Sequence, residues 1–485
     1  MGRDRRHPVG AAWATRWLPV LLVLALLGSG VAAHRYDWGP RYLGWYGDDI
    51  TTDPAAVAPP AGLELPAWSP PAAATPVTDP PLVDATAIQT ALEQGLRNKT
   101  LGKHVVAGVG DLSGDGPVWT HDDGQFLPAS TTKLVTAAAA LAALGPETRF
   151  TTSVVQGDRP REVVLVGGGD PYLASRPATP EEQATVYPDR ADVVTLARQA
   201  AARLPGRKPV RVVYDDSLFT GPTDNPKWRV DYVRDDIVSP ITALWVDRGA
   251  SPTGYGRSDD PSLTAAATFA AALEQAGVRV RGEPVRGTAG AGAVDLASVE
   301  SAPLAQIVER LLDVSDNETA EVLAHHVGLA VSGDGSFAGG STGVLSALQS
   351  LGVETGADVV HDGSGLSRSN RLSPATLIQV LQVAARPDHP DLRTVLTGLP
   401  VAGFTGSLAG RFAESDATAL GDVRAKTGTL SGVSSLAGVV AGRDGTEMVF
   451  VLAVDKTGKA REVDVEAALD DLAADLAACV CGAVA

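Results

Sequence analysis

The stretch Pro128-Ala129-Ser130-Thr131-Thr132-Lys133-Leu134-Val135, running on as Thr136-Ala137-Ala138-Ala139-Ala140-Leu141, constrains the fold more than any other part of this chain. Its alanine and leucine run has high helix propensity and predicts a core helix behind a proline turn. The helix is expected to open at Ser130, because a serine at a helix mouth suits the unpaired first-turn amides. Positions three apart share a helix face, so Lys133 falls beside Ser130. A hydroxyl, an amine within reach and outward-pointing backbone N–H groups can make a serine nucleophilic without any histidine. On its own, however, a Ser-x-x-Lys is equally what an ordinary capped core helix looks like.

Two further short elements change that balance. Ser130-x-x-Lys133 is the only Ser-x-x-Lys in the chain, and Ser315-Asp316-Asn317 is the only Ser-x-Asn in a sequence with four asparagines. Lys426-Thr427-Gly428, followed by Thr429, heads a predicted strand, and these elements use two of only eight lysines. A second Lys-Thr-Gly at Lys456-Thr457-Gly458 follows a strand instead of heading one, and is read as a turn.

Composition removes several classes of function. A chain of 485 residues suggests two to four domains, and 44% hydrophobic with 20% charged residues is ordinary for a globular protein. The net charge of -17 offers no basic stripe for nucleic acid. The two cysteines, Cys479 and Cys481, make neither a disulfide framework nor a good metal site. They are read as incidental thiols near a chain end, with a local disulfide as the alternative in an exported protein. His325 and His326 lie on a predicted helix as core or surface residues; without a His-Glu-x-x-His the chain is no zinc peptidase, and no metal or cofactor is expected.

Along the chain, arginines 3, 5, 6 and 16 precede an apolar run from Trp17 to Ala33, the layout of a signal peptide or an uncleaved signal anchor. Residues 34–83 are rich in proline and alanine and read as a tether. Predicted strands and helices then alternate to the C-terminus, with Gly167-Gly168-Gly169-Asp170-Pro171 as a tight turn and not a phosphate cradle. Residues 84–150 and 301–480 are expected to form one domain, interrupted by an inserted domain at 151–300.

The three motifs, in this order, occur together in penicillin-binding proteins and class A β-lactamases. The sequence resembles the D-alanyl-D-alanine carboxypeptidase/endopeptidase family, the class C low-molecular-mass penicillin-binding proteins. Gly167–Pro171, Asp362-Gly363-Ser364-Gly365-Leu366-Ser367-Arg368, Leu399-Pro400-Val401-Ala402-Gly403 and Ala425–Leu430 are similar to that family's blocks, from about residue 85 to about 455. The resemblance implies an α/β fold: a β-lactamase/transpeptidase-like antiparallel sheet flanked by helices, with a helical lobe and a large insertion. Lys133 and Ser315 lie 182 positions apart, which is short for the family and implies a reduced accessory subdomain.

The same resemblance implies roles for individual residues. Ser130 attacks the penultimate D-Ala carbonyl, Lys133 takes its proton as a neutral amine, and Ser315 passes a proton to the leaving D-Ala. Asn317 orients the acyl chain and Lys133; Lys426, Thr427 and Gly428 hold the substrate carboxylate; the amides of Ser130 and Thr429 form the oxyanion hole. A free lysine titrates near 10.4, so a working value near 7–8 needs roughly 4 kcal/mol; burial and the ammonium of Lys426 are both expected to push Lys133 down. The implied partners are peptidoglycan stem peptides, β-lactams as acylating inhibitors, and the membrane if the N-terminal segment is uncleaved; the implied location is extracytoplasmic. A β-lactamase or esterase on the same fold, and an inactive wall-binding module, are the alternatives; the absence of a Glu-x-x-Leu-Asn block argues against fast deacylation.

Overall fold

The structure is a computed structural model in which residues 81–204 and 209–483 are described. The expected targeting segment, and the tether up to residue 80, lie outside the described residues. Among the described residues no helix is long and apolar enough to cross a membrane.

In chain order, α1 (Ala85–Leu96) leads to β1 (Val105–Asp111) and β2 (Trp119–Thr120), then α2 (Thr132–Leu144). A second group follows: β3 (Thr151–Gln156), β4 (Glu162–Val166), α3 (Val193–Arg203), β5 (Arg211–Asp215), α4 (Pro261–Gln275), β6 (Val285–Arg286) and β7 (Asp295–Glu300). The chain then forms α5 (Leu304–Val314), α6 (Asn317–Ser332), α7 (Phe337–Ser350), α8 (Pro374–Ala385), β8 (Arg424–Leu430), β9 (Val433–Ala441), β10 (Glu447–Val454) and α9 (Glu462–Ala478).

The first sheet is antiparallel, in the order β2-β1-β10-β9-β8. Its central strands β1 and β10 carry few polar residues because both faces are covered. Val449, Val451 and Ala453 turn toward α2, α5, α6 and α8, whereas Met448, Phe450, Leu452 and Val454 turn toward α1 and α9. That alternation is the period-two pleat read off one strand. The second sheet, β6-β5-β4-β3-β7, has parallel and antiparallel pairs, and all its strands fall within residues 151–300. It packs on α3 and α4 through Val154, Leu165, Val212, Leu196 and Phe269.

Three hydrogen bonds tie the 223–240 segment to the start of α6 and to the 361–362 loop. Asn225 Nδ2 donates to His361 O at 2.6 Å, Trp228 Nε1 to Asp362 Oδ2 at 2.8 Å, and Asn317 Nδ2 to Ile237 O at 3.0 Å. The glycine turn at 167–169 packs tightly: a Cβ on Gly168 would stand 1.9 Å from Thr151 O, and His326 Nε2 lies 3.0 Å from Gly169 O. Both histidines are buried among Phe150, Phe219 and Phe337. Lys456-Thr457-Gly458 lies beyond the end of β10, outside any strand.

Two expectations need correction. Cys479 and Cys481 are bonded to each other and are not free thiols. Their segment closes the body on itself, since Asp84 N donates to Cys481 O and Ala483 N to Leu82 O. The α-helix after Pro128 begins at Thr132, behind a 3₁₀ turn at Ala129–Thr131, and Ser130 does not cap it.

Candidate active site

The turn carrying Ser130 is held in an uncommon conformation. Ala129 has φ 48°, a left-handed geometry that costs an L-residue about 1–2 kcal/mol. Pro128 O offsets part of this by accepting from Thr131 Oγ1 at 2.7 Å and from Ser435 Oγ at 2.7 Å. Two glycines make room for the turn. On Gly365 a Cβ would stand 1.8 Å from Ala129 O, and on Gly428 it would stand 2.7 Å from Pro128 O and 3.0 Å from Ser130 N. The Ser130 turn is thus wedged between the 362–368 loop and β8.

Because no cap bond occupies it, the Ser130 hydroxyl is left for Lys133, whose Nζ lies 2.9 Å away. Lys133 is fully buried and also contacts Asn317 Oδ1 at 2.8 Å and Ser364 O at 2.7 Å. The last two groups can only accept. A neutral amine spends its two N–H bonds on them and is left with its lone pair facing the serine O–H. Burial lowers Lys133 to about 8, against the opposing pull of Glu321, Asp362, Asp316 and Glu318. The lowering is led by desolvation, and the repulsion between Lys133 and Lys426 appears as a further lowering of Lys426. Four carboxylates surround Lys133 and work the other way.

Lys426 is itself fully buried and is pushed well below the lysine range by burial and then by the charge of Lys133, with Asp313 opposing. Its Nζ donates to Thr427 O at 2.8 Å, and Thr427 Oγ1 bonds Ser407 Oγ at 2.9 Å. Both residues sit on β8, an edge strand of the sheet, which pairs with β9 along its length and meets Val401 by a single bridge at Arg424. Ala425 N leaves that edge outward, to Pro400 O. The two-residue pleat then turns the N–H groups of Thr427 and Thr429 toward the same open edge, by the Ser130 turn. The hydroxyl of Thr429 points elsewhere, to Glu466 Oε1 at 2.9 Å.

Asn317 reaches Lys133 because the chain reverses sharply between α5 and α6. Ser315 is left-handed at φ 59°, and Asp316 caps α6 through Thr319 N at 3.1 Å while pairing with Arg248 at 3.0 Å. Ser130, Lys133 and Asn317 are thereby joined directly, and Gly428 abuts them. Among the described residues no hydrogen bond joins Ser315 to Ser130 or Lys133; it lines a cavity of about 320 Å³ with Tyr172, Arg190, Arg248 and Arg310. Sequence reasoning did not single out Ser364 or Ser407. The first lies inside the noted Gly-Ser-Gly loop, but a carbonyl ligand leaves no trace in residue type.

A serine faced by a buried amine beside an open sheet edge, under a helical lobe, defines the penicillin-recognising class of serine hydrolase. The fold is similar to that of penicillin-binding protein 4 from Haemophilus influenzae, with TM-score 0.63 and 21% identity over 81% of this chain and 98% of that one. A profile of the D-Ala-D-Ala carboxypeptidase 3 (S13) family matches residues 88–255 and 254–476, and the chain belongs to that family. It is 36% identical to carboxypeptidase DacB of Mycolicibacterium smegmatis over 95% of this chain and 96% of the relative. It is 31% identical to a D-alanyl-D-alanine carboxypeptidase of Actinomadura sp. over 69% and 74% of the two chains.

Proposed function

We propose that the serine-type D-Ala-D-Ala carboxypeptidase activity of this family member runs through an acyl-enzyme on Ser130. The observation that carries the assignment is Lys133 Nζ, fully buried, lowered to about 8 and 2.9 Å from Ser130 Oγ. The serine oxygen attacks the carbonyl of the penultimate D-Ala while Lys133 accepts its proton. The oxyanion forms against the amides of Ser130 and Thr429, each such donor contributing about 2.7–4 kcal/mol in the transition state. Ser315 then passes a proton to the departing D-Ala amine as the C–N bond breaks, and water later hydrolyses the ester.

Lys426, Thr427 and Gly428 receive the terminal carboxylate, and Asn317 holds the acyl chain and the amine. A substrate lying along the open edge of β8 adds to the sheet as an extended strand, so its backbone is read before its side chains. Residues 84–150 and 301–480 form the catalytic domain and 151–300 the insert, a division supported by the separate second sheet. Membership of a family that works on peptidoglycan supports an envelope location; residues 1–33 direct export, cleaved or as an anchor, and 34–83 act as a spacer.

Labelling with a fluorescent penicillin tests the assignment. The wild type is expected to hold the label stably, and Ser130→Ala to take none. Rapid turnover of the label identifies a β-lactamase instead, and an unlabelled wild type an inert wall-binding module.

A further inference from the structure

Glu321 lies one helical turn beyond Asn317 on α6, on the same face. It is completely buried. Its carboxylate takes two backbone amides of the neighbouring loop: Oε1 accepts from Ser364 N at 2.8 Å and Oε2 from Gly363 N at 3.1 Å. The carbonyl of Ser364 is the one that accepts from Lys133 Nζ at 2.7 Å, and the carbonyl of Gly363 accepts from Thr136 Oγ1 at 2.7 Å. One short stretch of backbone therefore has its N–H groups gripped by Glu321 and its C=O groups gripped by α2, the helix that carries the base.

A buried carboxylate is costly unless something charged compensates it. Among the described residues no arginine or lysine pairs with Glu321; its partners are the two amides and the Ser364 side chain, and burial, with the charge of Asp362, raises its carboxyl to about 8. Its neighbour Asp362 is better served, accepting from Gly365 N, Ser367 N, Asn370 Nδ2 and Trp228 Nε1. Glu321 is the first of the carboxylates that sustain the proton affinity of Lys133. The groups around that amine are Glu321 and Glu318 from α6, Asp316 at its cap, Asp362 from the loop and Lys426 from β8. His325, one turn further on α6, is held neutral by burial at about 4.

We propose that Glu321 is a positioning residue of the reaction: through the Gly363–Ser364 backbone it aims the Lys133 amine at Ser130, and its carboxylate is the counter-charge for the ammonium formed when Lys133 takes the serine proton. This completes a nucleophile, base and orienter series of the kind other serine hydrolases build with histidine and aspartate. It rests on the Ser130–Lys133 assignment above.

The test is the rate of penicillin acylation against pH. The wild-type rate rises with deprotonation of Lys133, with its midpoint near 8, in the range where Glu321 also ionises, so the midpoint belongs to the pair. In Glu321→Gln the midpoint is expected to fall by about one pH unit, because a charge that favours the ammonium is gone. Its plateau is expected to drop roughly tenfold to a hundredfold through misplacement of the amine. Thr136→Val loosens the same backbone from the other side without changing a charge; it is expected to lower the plateau and leave the midpoint in place.

An unmoved midpoint in Glu321→Gln overturns the proposal, as does an equal shift in Thr136→Val, which would trace the effect to loop displacement alone. Should Glu321→Gln fail to fold, Glu321→Asp decides. It keeps the charge on a shorter arm, so a lower plateau with an unmoved midpoint supports the proposal and a moved midpoint sinks it. A wild type that takes no label at any pH would instead defeat the Ser130 assignment, an outcome these variants do not imitate.

Discussion

Lys133 meets two opposed demands: it must be uncharged to accept a proton, and it must become charged in doing so. Complete burial meets the first, and the surrounding carboxylates meet the second. Lys133→Arg is expected to abolish acylation, since arginine supplies no neutral base at working pH. Lys426→Arg is expected mainly to raise KM for peptides, given the proposed role of Lys426 in holding the carboxylate. Equal and complete loss in both variants, followed by penicillin labelling and peptide kinetics, would contradict this division of labour. The same burial has a thermodynamic signature. With Lys133 lowered from 10.5 to about 8, the native state binds fewer protons than the unfolded chain between those values, so stability rises with pH across that window. Below about 8 the full cost is present, roughly 3 kcal/mol. The wild-type melting temperature, taken relative to Lys133→Met, should therefore climb between pH 8 and 10; a constant gap would mean the amine is not buried in its charged form at neutral pH.

Among the elements, β8 sets the geometry, and Gly428 is the point at which it meets the nucleophile. A methyl there would stand 2.3 Å from Ser435 Oγ and 2.7 Å from Pro128 O, and the backbone atom cannot rotate away. Gly428→Ala is expected to cost roughly 1–3 kcal/mol of stability by overpacking, and to lower acylation more than stability alone explains; calorimetry beside labelling separates the two. Much of this architecture was legible from residue patterns. Pro374–Ala385 and Ala85–Leu96 carry helix signals in their residues, because a proline or an aspartate opens each and apolar spacing fills it. The helix Val193–Arg203 and the strand Asp295–Glu300 were not legible in that way. The first sits in a polar stretch whose start is marked only by Asp192, and the second shows a partly exposed, weakly alternating face. Residue type and spacing singled out Ser130, Lys133 and Asn317, which the structure brings into contact, and Lys426 on β8. The roles of Ser364 and Glu321 were hidden, since they act through a carbonyl and two amides that any sequence possesses.

Across the described residues, the 223–240 segment is bonded to the loop whose backbone contacts Lys133. Trp228 and Asn225 hold Asp362 and His361, directly ahead of the Gly-Ser-Gly backbone that steadies Lys133. The far end of the body is organised differently. The Cys479–Cys481 link closes so small a ring that its loss should remove only about 1–2 kcal/mol of loop-closure stabilisation. Cys479→Ser with Cys481→Ser is expected to lower the melting temperature slightly and leave penicillin labelling intact; a large loss of labelling would reveal a route from that end to the cleft. Those cysteines lie where the first and last described strands of backbone bond to each other, at Val83 and Gly482. With Asp84 N bonded to Cys481 O and Ala483 N to Leu82 O, the first and last described residues are pinned together, so fraying at one end of the described chain also frees the other.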